Sequence, residues 1–244
     1  MQIDKVVIVC FKGDIHLLRP CIASVRYWYP DIEIYLLKDK FRGDFDTTEI
    51  EKHFSAKIDT PSRPNWGWGW AKLDPFINPV KDRYLVLDAD TVMVGPVLSI
   101  LNQHDDEFIV TGFASNDENN HIINAHYLKI QEVKAINTGY QYPGFGFNTG
   151  QMVVTSGILN QKDFEEVCTF DEDITCKYPN VFHYADQGVL NYILAFNRDR
   201  YDYSIKYENY WLWPAGDEAL QLDIREIRSK NGYPLILHWA GIKR

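Results

Sequence analysis

Residues 84–94 read YLVLDADTVMV, an apolar segment that is interrupted by Asp88 and Asp90. A continuous Leu/Val run is typical of a strand that is buried on both faces of a sheet. The segment therefore predicts a core strand that reaches the rim of its sheet at two carboxylates. In open α/β sheets, ligands bind at the carboxyl ends of the strands. Two carboxylates at that rim are hard oxygen ligands that favour Mg²⁺ or Mn²⁺. The alternative is an acidic turn, because Asp is common in turns that follow strands.

Apolar strands and amphipathic helices alternate around this segment. Strands are predicted at residues 5–11, 32–37, 108–113, 151–154 and 234–239. Helices are predicted at residues 15–28, 47–54, 71–77, 96–102, 163–170 and 187–196. The order indicates a mostly parallel sheet with crossover helices. Residues 114–142 are polar and weakly periodic, which is typical of a lid or a binding loop.

The composition narrows the possible functions. The chain has 244 residues, of which 45% are hydrophobic, and this is enough apolar material for one sizeable α/β domain. Its net charge of −9 argues against a nucleic-acid partner, because phosphate binding requires clustered Lys and Arg. The four cysteines form no C-x-x-C pair, and no apolar run approaches the roughly 20 residues of a membrane-spanning helix. We therefore expect a cytoplasmic location, including the cytoplasmic face of a membrane.

Three further motifs follow the acidic strand. Residues 148–150 read NTG, in which Gly permits a close backbone approach and Asn offers both a donor and an acceptor. Residues 186–188 read DQG and open a predicted helix. Residues 238–244 read HWAGIKR, an imidazole followed by two cations. Each motif has a plain structural alternative: a turn for the first, a helix N-cap for the second, and a solvated basic tail for the third.

With these motifs in this order, the chain resembles the GT-A glycosyltransferases of family 8. That family includes glycogenin and the bacterial galactosyl- and glucosyltransferases of lipopolysaccharide assembly. The resemblance covers nearly the whole chain, from the first strand to the terminal His-x-x-Gly. It implies one GT-A (Rossmann-like) α/β domain over residues 1–244. The central sheet would be mostly parallel and flanked by helices, with a metal site at the C-terminal rim of the strands and a lid or acceptor loop at residues 114–142.

The resemblance also implies the metal ligands and the catalytic residues. Asp88, Asp90 and His238 would bind Mn²⁺ or Mg²⁺, and Asp88 would also lie near the ribose of the donor. The sugar-facing catalytic side of the cleft would consist of Gln187, Asp186 and Asn148. Among these, Gln187 matches the residue on the face of the anomeric carbon opposite the leaving phosphate.

The remaining expected contacts concern the nucleotide-diphosphate sugar donor. Phe11 and Asp14 belong to the end of the first strand and the loop that would hold the base, and Lys72 matches a basic position near the donor. The chain end departs from the family pattern His-x-x-Gly-x-x-Lys, because Lys243 falls five residues after the His and Arg244 falls six. We expect one of these two cations to bind the diphosphate. Arg244 is preferred by its spacing and because a guanidinium forms a fork with phosphates.

These residues predict a metal-dependent glycosyltransferase. A divalent ion and one cation would stabilise the negative charge that develops on the departing diphosphate. An amide at position 187 is a poor nucleophile, so the acceptor hydroxyl would attack on the side of the leaving phosphate and retain the anomeric configuration. The expected reaction moves a hexose from a UDP-sugar to a glycan or glycolipid acceptor. Such an acceptor could bring the protein to a membrane surface.

Two other functions are compatible with parts of the sequence. Residues 88–92 also fit the D-x-D-x-[T/V] motif of haloacid dehalogenase-type phosphatases, in which Asp88 would be a covalent nucleophile. Against this, that motif normally lies on the first strand, and the later G-D-x-x-x-D motif is missing, because residues 216–221 read GDEALQ. The second alternative is an inactive transferase fold that only binds carbohydrate, which would have no need of the acidic pair and the His.

Overall fold

This computed structural model describes residues 2–59, 66–67, 69–214 and 216–240. These residues form twelve strands and nine α-helices. The strands are β1 (Lys5–Phe11), β2 (Glu33–Asp39), β3 (Lys57–Asp59), β4 (Arg83–Asp88), β5 (Thr91–Met93), β6 (Phe108–Ala114), β7 (Phe145–Thr155), β8 (Cys168–Phe170), β9 (Ile174–Cys176), β10 (Ile205–Tyr207), β11 (Trp211–Leu212) and β12 (Ile236–His238). The helices are α1 (Ile15–Trp28), α2 (Thr48–Phe54), α3 (Asp74–Ile77), α4 (Leu98–Leu101), α5 (His121–His126), α6 (Ile130–Ile136), α7 (Asp186–Tyr201), α8 (Asp217–Leu220) and α9 (Ile224–Arg228).

Seven strands form the central sheet in the order β10-β6-β7-β4-β1-β2-β3. Neighbouring strands are parallel except at β7, which runs antiparallel to both β4 and β6. A three-stranded sheet, β11-β12-β5, continues from the carboxyl edge, and β8 and β9 form a separate hairpin. The prediction of a mostly parallel α/β sheet is therefore confirmed.

The alternation of side chains along the strands divides the core into two layers. Val7 and Val9 of β1 pack in the layer that contains α7, whereas Val6 and Ile8 pack in the layer that contains α1. Both layers are buried, so the central strands need apolar residues at successive positions. Each such side chain stabilises the fold by roughly 1.5–3 kcal/mol through burial. This explains why the strands appear in the sequence as continuous Val, Ile and Leu runs.

The acidic segment forms two strands and a turn rather than one long strand. β4 ends at Asp88, and β5 begins at Thr91, which pairs with His238 of the antiparallel β12. The Ala89 amide donates to the Val9 carbonyl (3.2 Å), and the Thr91 hydroxyl donates to the Asp88 carbonyl (2.8 Å). These bonds fix the turn at the carboxyl edge of the sheet and bring the chain end next to the acidic pair.

Three local predictions differ from the structure. Residues 163–170 do not form a helix: a 3₁₀ turn at Gln161–Asp163 is followed by β8. Residues 114–142, where no regular element was predicted, contain α5 and α6, and the role of this segment as a lid or acceptor loop stays a prediction. The strand predicted at 151–154 extends over the eleven residues of β7, so residues 148–150 lie inside a strand and the turn interpretation is wrong. Among the described residues, no helix has both the length and the apolar character needed to cross a bilayer.

Candidate active site

The structure brings Asp88, Asp90 and His238 together. One ligand atom from each residue lies within 4.8 Å of the others. His238 Nε2 is 3.1 Å from Asp90 Oδ1 and 3.7 Å from Asp88 Oδ2. Asp90 and His238 are buried, whereas the Asp88 side chain keeps 22% of its surface exposed. The three predicted metal ligands therefore form one cluster that remains open on the Asp88 side.

The chemistry of this cluster fits a divalent cation. Two carboxylates and an imidazole are the oxygen and nitrogen donors that suit Mn²⁺ or Mg²⁺. Burial and the neighbouring Asp90 carboxylate raise the pKa of Asp88, and this effect exceeds the opposite influence of Lys72 and His238. A carboxylate whose charge is disfavoured in this way gains from a bound cation. The donor set therefore supports the predicted metal site.

Asn148 and Gly150 of β7 lie directly against the imidazole. Asn148 Oδ1 is 3.0 Å from His238 Nδ1, and it also accepts a 2.8 Å hydrogen bond from the Gly150 amide. A Cβ atom on Gly150 would lie only 2.0 Å from His238 Cε1. The residue at position 150 must therefore lack a side chain, because the ring occupies that space.

Lys72 connects the metal cluster to the start of α7. Its Nζ lies 2.9 Å from Asp88 Oδ2 and 3.2 Å from Asp186 Oδ2, and Thr149 Oγ1 donates to the same Asp186 oxygen (2.7 Å). Lys72 is buried. Burial alone would lower the pKa of Lys72, but the Asp186 and Asp88 carboxylates outweigh burial and raise that pKa above its usual range. Lys72 therefore remains charged and holds two carboxylates from different elements.

The N-cap interpretation of Asp186 is wrong. Helix α7 begins at Asp186, Ala185 occupies the cap position, and no side chain forms a cap hydrogen bond. The Asp186 carboxylate instead faces Lys72 and the backbone of Gly69, where a Cβ would lie 2.2 Å from Asp186 Oδ1. Tyr184 and Ala185, which precede it, both have positive φ values, of 53° and 51°. Non-glycine residues in such conformations carry strain that often accompanies functional sites.

Gln187 follows Asp186 on the first turn of α7 and is half-buried. Its side-chain amide donates to the His126 carbonyl at the end of α5 (2.7 Å). Asn191, one turn later, donates to the Gln187 carbonyl and to the Phe147 carbonyl (both 2.8 Å). The segment predicted as a lid or acceptor loop therefore contacts the start of α7 through the end of α5.

The expected donor contacts at the end of β1 lie at the same edge of the sheet. Phe11 is the last residue of β1, and Asp14 is buried in the 3₁₀ turn that follows. The guanidinium of Arg42, which the sequence analysis did not identify, lies 5.1 Å from the centre of the Phe11 ring. Lys243 and Arg244 lie outside the described residues.

Sequence reasoning also missed Thr149 and Gly69. Thr149 was only the variable position of the NTG motif, yet its hydroxyl binds the Asp186 carboxylate. Side chains alternate between the two faces of a strand. Because Asn148 and Gly150 face His238, Thr149 between them must face the other side of β7, and this alternation could have identified it. Gly69 has a φ of +84°, which favours glycine, and its G-W-G context was the available hint.

One surface cavity lies away from this cluster. It has a volume of about 660 Å³, is lined by Ile3, Trp28 and Pro96 among others, and lies toward the amino ends of β1 and β2. Its lining is mainly apolar and contains none of the clustered titratable groups found at the carboxyl edge. The cluster around Asp88 is therefore the better candidate for chemistry.

Comparison with solved structures identifies similar folds. The galactosyltransferase LgtC in complex with donor and acceptor sugar analogues is 18% identical, with a TM-score of 0.56 over 98% of this chain and 87% of that one. The bifunctional glycosyltransferase WbbM is 12% identical, with a TM-score of 0.61 over 100% of this chain and 46% of that one. The glycosyltransferase GlyE of Streptococcus pneumoniae is 19% identical, with a TM-score of 0.55 over 98% and 55%.

Other comparisons add no relatives. No protein-family model matches the chain, and no curated protein matches it. The structural similarities are all below 20% identity, so they bear on the fold. They confirm the predicted fold: the chain adopts the GT-A fold of these solved glycosyltransferases, at low sequence identity.

Proposed function

We propose that this protein is a metal-dependent, retaining glycosyltransferase that moves a hexose from a nucleotide-diphosphate sugar, with UDP as the expected nucleotide, to a glycan or glycolipid acceptor. The observation that carries the proposal is the cluster of Asp88, Asp90 and His238 at the carboxyl edge of a GT-A sheet, next to the pair of Lys72 and Asp186. Residues 1–244 would act as one catalytic domain.

The acidic pair and the imidazole would hold Mn²⁺ or Mg²⁺. When bound, the cation would supply positive charge to the diphosphate as the sugar leaves. The open Asp88 side of the cluster is the side on which a donor can reach it. Phe11 and Asp14, at the neighbouring end of β1, are the proposed contacts to the nucleotide, with Lys243 or Arg244 as the second cation at the diphosphate.

The surroundings of Asp186 argue against a covalent glycosyl-enzyme intermediate on this carboxylate. A double-displacement mechanism needs a carboxylate that is free to attack the anomeric carbon. Asp186 Oδ2 already accepts from Thr149 and pairs with Lys72, so this oxygen is poorly available as a nucleophile. Gln187 beside it is an amide. We therefore propose front-face attack, in which a phosphate oxygen removes the proton of the acceptor hydroxyl.

The acceptor would approach through the segment at residues 114–142. Helix α5 of this segment contacts Gln187 through the His126 carbonyl, so it borders the proposed position of the anomeric carbon. The acceptor hydroxyl must come within about 3–3.5 Å of that carbon. A flanking helix that already touches the catalytic amide is in a position to guide it.

The decisive experiment combines nucleotide binding with product analysis. Thermal shifts should appear with UDP only when Mn²⁺ is present, and they should disappear in Asp90→Ala but persist in the control Asp199→Ala, which removes an exposed carboxylate. An NMR time course with α-linked UDP-sugars should show an α-linked first product. A response to Mg²⁺ with phosphate mimics instead would indicate the phosphatase, and no response to nucleotide would indicate an inactive binding protein.

A further inference from the structure

The hydrogen bonds around Asn148 determine which nitrogen of His238 carries the proton. A backbone amide can only donate, so the bond from the Gly150 N–H identifies Asn148 Oδ1 as an acceptor (2.8 Å). The same oxygen is 3.0 Å from His238 Nδ1. Because an acceptor needs a donor, Nδ1 must bear the hydrogen. In the neutral ring, Nε2 then presents its lone pair.

That lone pair faces two carboxylates. Nε2 lies 3.1 Å from Asp90 Oδ1 and 3.7 Å from Asp88 Oδ2, and none of these three atoms offers a hydrogen when the ring is neutral and the acids are ionised. Three facing lone pairs repel one another unless a cation lies between them. A neutral ring in this tautomer is therefore arranged as a ligand, and not as a hydrogen-bond donor to the acids.

We propose that Asn148 is a positioning residue that holds His238 in the Nδ1–H tautomer and aims Nε2 at the cation site. This assignment differs from the sugar-facing role that the family resemblance implies for Asn148. Metal-binding histidines usually donate the second ring N–H to a fixed acceptor, and loss of that acceptor commonly weakens metal binding by 10–100-fold. The catalytic importance of the contact rests on the proposed function, but the tautomer and the metal affinity can be measured without it.

The surroundings make the contact rigid. Asn148 is 9% exposed and His238 is 3% exposed, so water competes poorly for the amide oxygen. Gly150 supplies the backbone hydrogen bond and also leaves the space that the ring fills, since its Cβ position would be 2.6 Å from Nδ1. The NTG motif therefore fixes the imidazole from two directions with one short segment of β7.

The test compares Asn148→Ala, Asn148→Asp and the control Asn197→Ala, which removes another buried Asn, one that bonds within α7. Long-range ¹H–¹⁵N correlation spectra of the metal-free protein, with the ring neutral, report the tautomer, and His238→Phe assigns the signal. Titration of Mn²⁺ followed by electron paramagnetic resonance reports affinity. We expect Asn148→Ala to lose the Nδ1–H preference and to weaken Mn²⁺ binding by about 10–100-fold.

Asn148→Asp should retain the tautomer and most of the Mn²⁺ affinity, because a carboxylate oxygen replaces the amide oxygen, and Asn197→Ala should behave as wild type. If Asn148→Ala unfolds more easily but keeps the wild-type tautomer and Mn²⁺ affinity, the proposal is overturned. A rise in donor KM without a change in Mn²⁺ affinity would also overturn it, in favour of a sugar contact. Failure of glycosyl transfer in the wild type would leave both readouts unchanged and would count only against the proposed function.

A second, independent observation concerns two cysteines on the β8–β9 hairpin. Cys168 lies directly opposite Cys176 in the antiparallel register. The Lys177 amide donates to the Val167 carbonyl (2.8 Å), so residues 167 and 177 form a hydrogen-bonded pair and the cysteines next to them form a non-hydrogen-bonded pair. In such pairs the Cα atoms are about 4.5 Å apart and both side chains point to the same face, within the range of a disulfide.

We infer that Cys168 and Cys176 are a site of disulfide formation by a small-molecule disulfide. The Cys176 thiolate, on the more exposed residue, attacks one sulfur of oxidised glutathione and releases the first glutathione thiolate. The Cys168 thiolate then attacks Cys176 Sγ and releases the second. The two protein thiol protons pass to the two glutathione molecules, so the protein is oxidised and the glutathione disulfide is reduced. Burial raises the pKa of both thiols, so the exchange is slow at neutral pH.

Peptide mass spectrometry after incubation with oxidised glutathione at about pH 8.5, where the thiolate fraction is larger, tests this site. We expect the wild type to lose two hydrogen atoms between Cys168 and Cys176, while the buried Cys10 and Cys21 remain available for alkylation after unfolding. Cys176→Ser should form no intramolecular disulfide. A wild-type protein that stays reduced, or that stops at a stable glutathione adduct, would overturn the inference.

Discussion

Replacing Gly150 with Ala should separate the imidazole from the metal cluster. The added methyl would lie 2.0 Å from His238 Cε1, whereas ordinary contacts begin at 3.4 Å. The ring must therefore move by about 1.4 Å, or the backbone of β7 must yield by a similar amount. Metal–ligand distances tolerate deviations of only about 0.2 Å. A displaced His238 thus ceases to be a ligand, and we expect Mn²⁺ affinity to fall at least 10–100-fold, or about 1.4–2.7 kcal/mol.

The same substitution should destabilise the fold only moderately. Extra volume in a packed region typically costs about 1–3 kcal/mol. For a chain of this length that corresponds to a Tm decrease of roughly 2–12 °C. We expect this decrease to leave the variant folded at assay temperature, so that its metal affinity is measured in the folded state.

Calorimetric titration of Mn²⁺ and thermal unfolding together test this reasoning. Gly139→Ala is the matched control, because the nearest atom to its added methyl is a side-chain oxygen of Asn137 at 3.3 Å and its backbone has no positive φ. The control should bind Mn²⁺ as the wild type does. If Gly150→Ala also binds Mn²⁺ with wild-type affinity, His238 is not a ligand or is not held against Gly150.

Three further predictions concern charge, a buried amide and catalysis. Lys72→Met leaves the buried Asp186 carboxylate and the partly exposed Asp88 carboxylate without their cation and should lower the free energy of unfolding by about 3–5 kcal/mol, measured by urea denaturation. Because the folded-state pKa of Lys72 is raised, its contribution should be complete below the unfolded pKa of about 10.4 and decline as pH rises above it. Gln151→Leu should raise the free energy of unfolding by about 1 kcal/mol, since the buried amide has no hydrogen-bond partner among the described residues. Gln187→Ala should lower kcat with little change in donor KM, measured by initial rates, because its contact matters once the anomeric carbon becomes cationic.

Each of these three predictions would be contradicted by a specific result. Equal stability of Lys72→Met and the exposed control Lys52→Met would show that the ion pairs do not stabilise the fold. A lower Tm in Gln151→Leu would mean that the amide has a polar partner. A higher donor KM with unchanged kcat in Gln187→Ala would place this amide in ground-state binding.

The elements that were predicted well are those whose signal is local. β1 and β4 are buried on both faces, so residues 6–11 and 84–87 are apolar, and α1 buries one helical stripe that includes Leu18, Ile22 and Val25. These patterns can be recognised without knowing which element packs against the strand or the helix. By contrast, the helix predicted at 163–170 was wrong because part of that apolar content belongs to β8, whose pairing with β9 is not visible in a helical period.

The site was predictable only in its parts. The acidic pair could be identified from its place after an apolar strand, and the ordered motifs supplied the rest through the family resemblance. The contact between Lys72 and Asp186 could not be read from the sequence, because it joins residues 114 positions apart through a fully tertiary arrangement. For the same reason Asp186 appeared to be an N-cap: the local role is common, but a buried cation offers the carboxylate a stronger partner.

β7 joins the two halves of the proposed chemistry. Its Asn148 and Gly150 hold the imidazole of the metal cluster, while the intervening Thr149 holds the Asp186 carboxylate on the other side of the strand. Lys72 connects the Asp186 carboxylate to the metal cluster, because its Nζ contacts both Asp186 and Asp88. The antiparallel placement of β7 thus lets alternate side chains of one strand contact the proposed metal cluster and the Asp186 carboxylate.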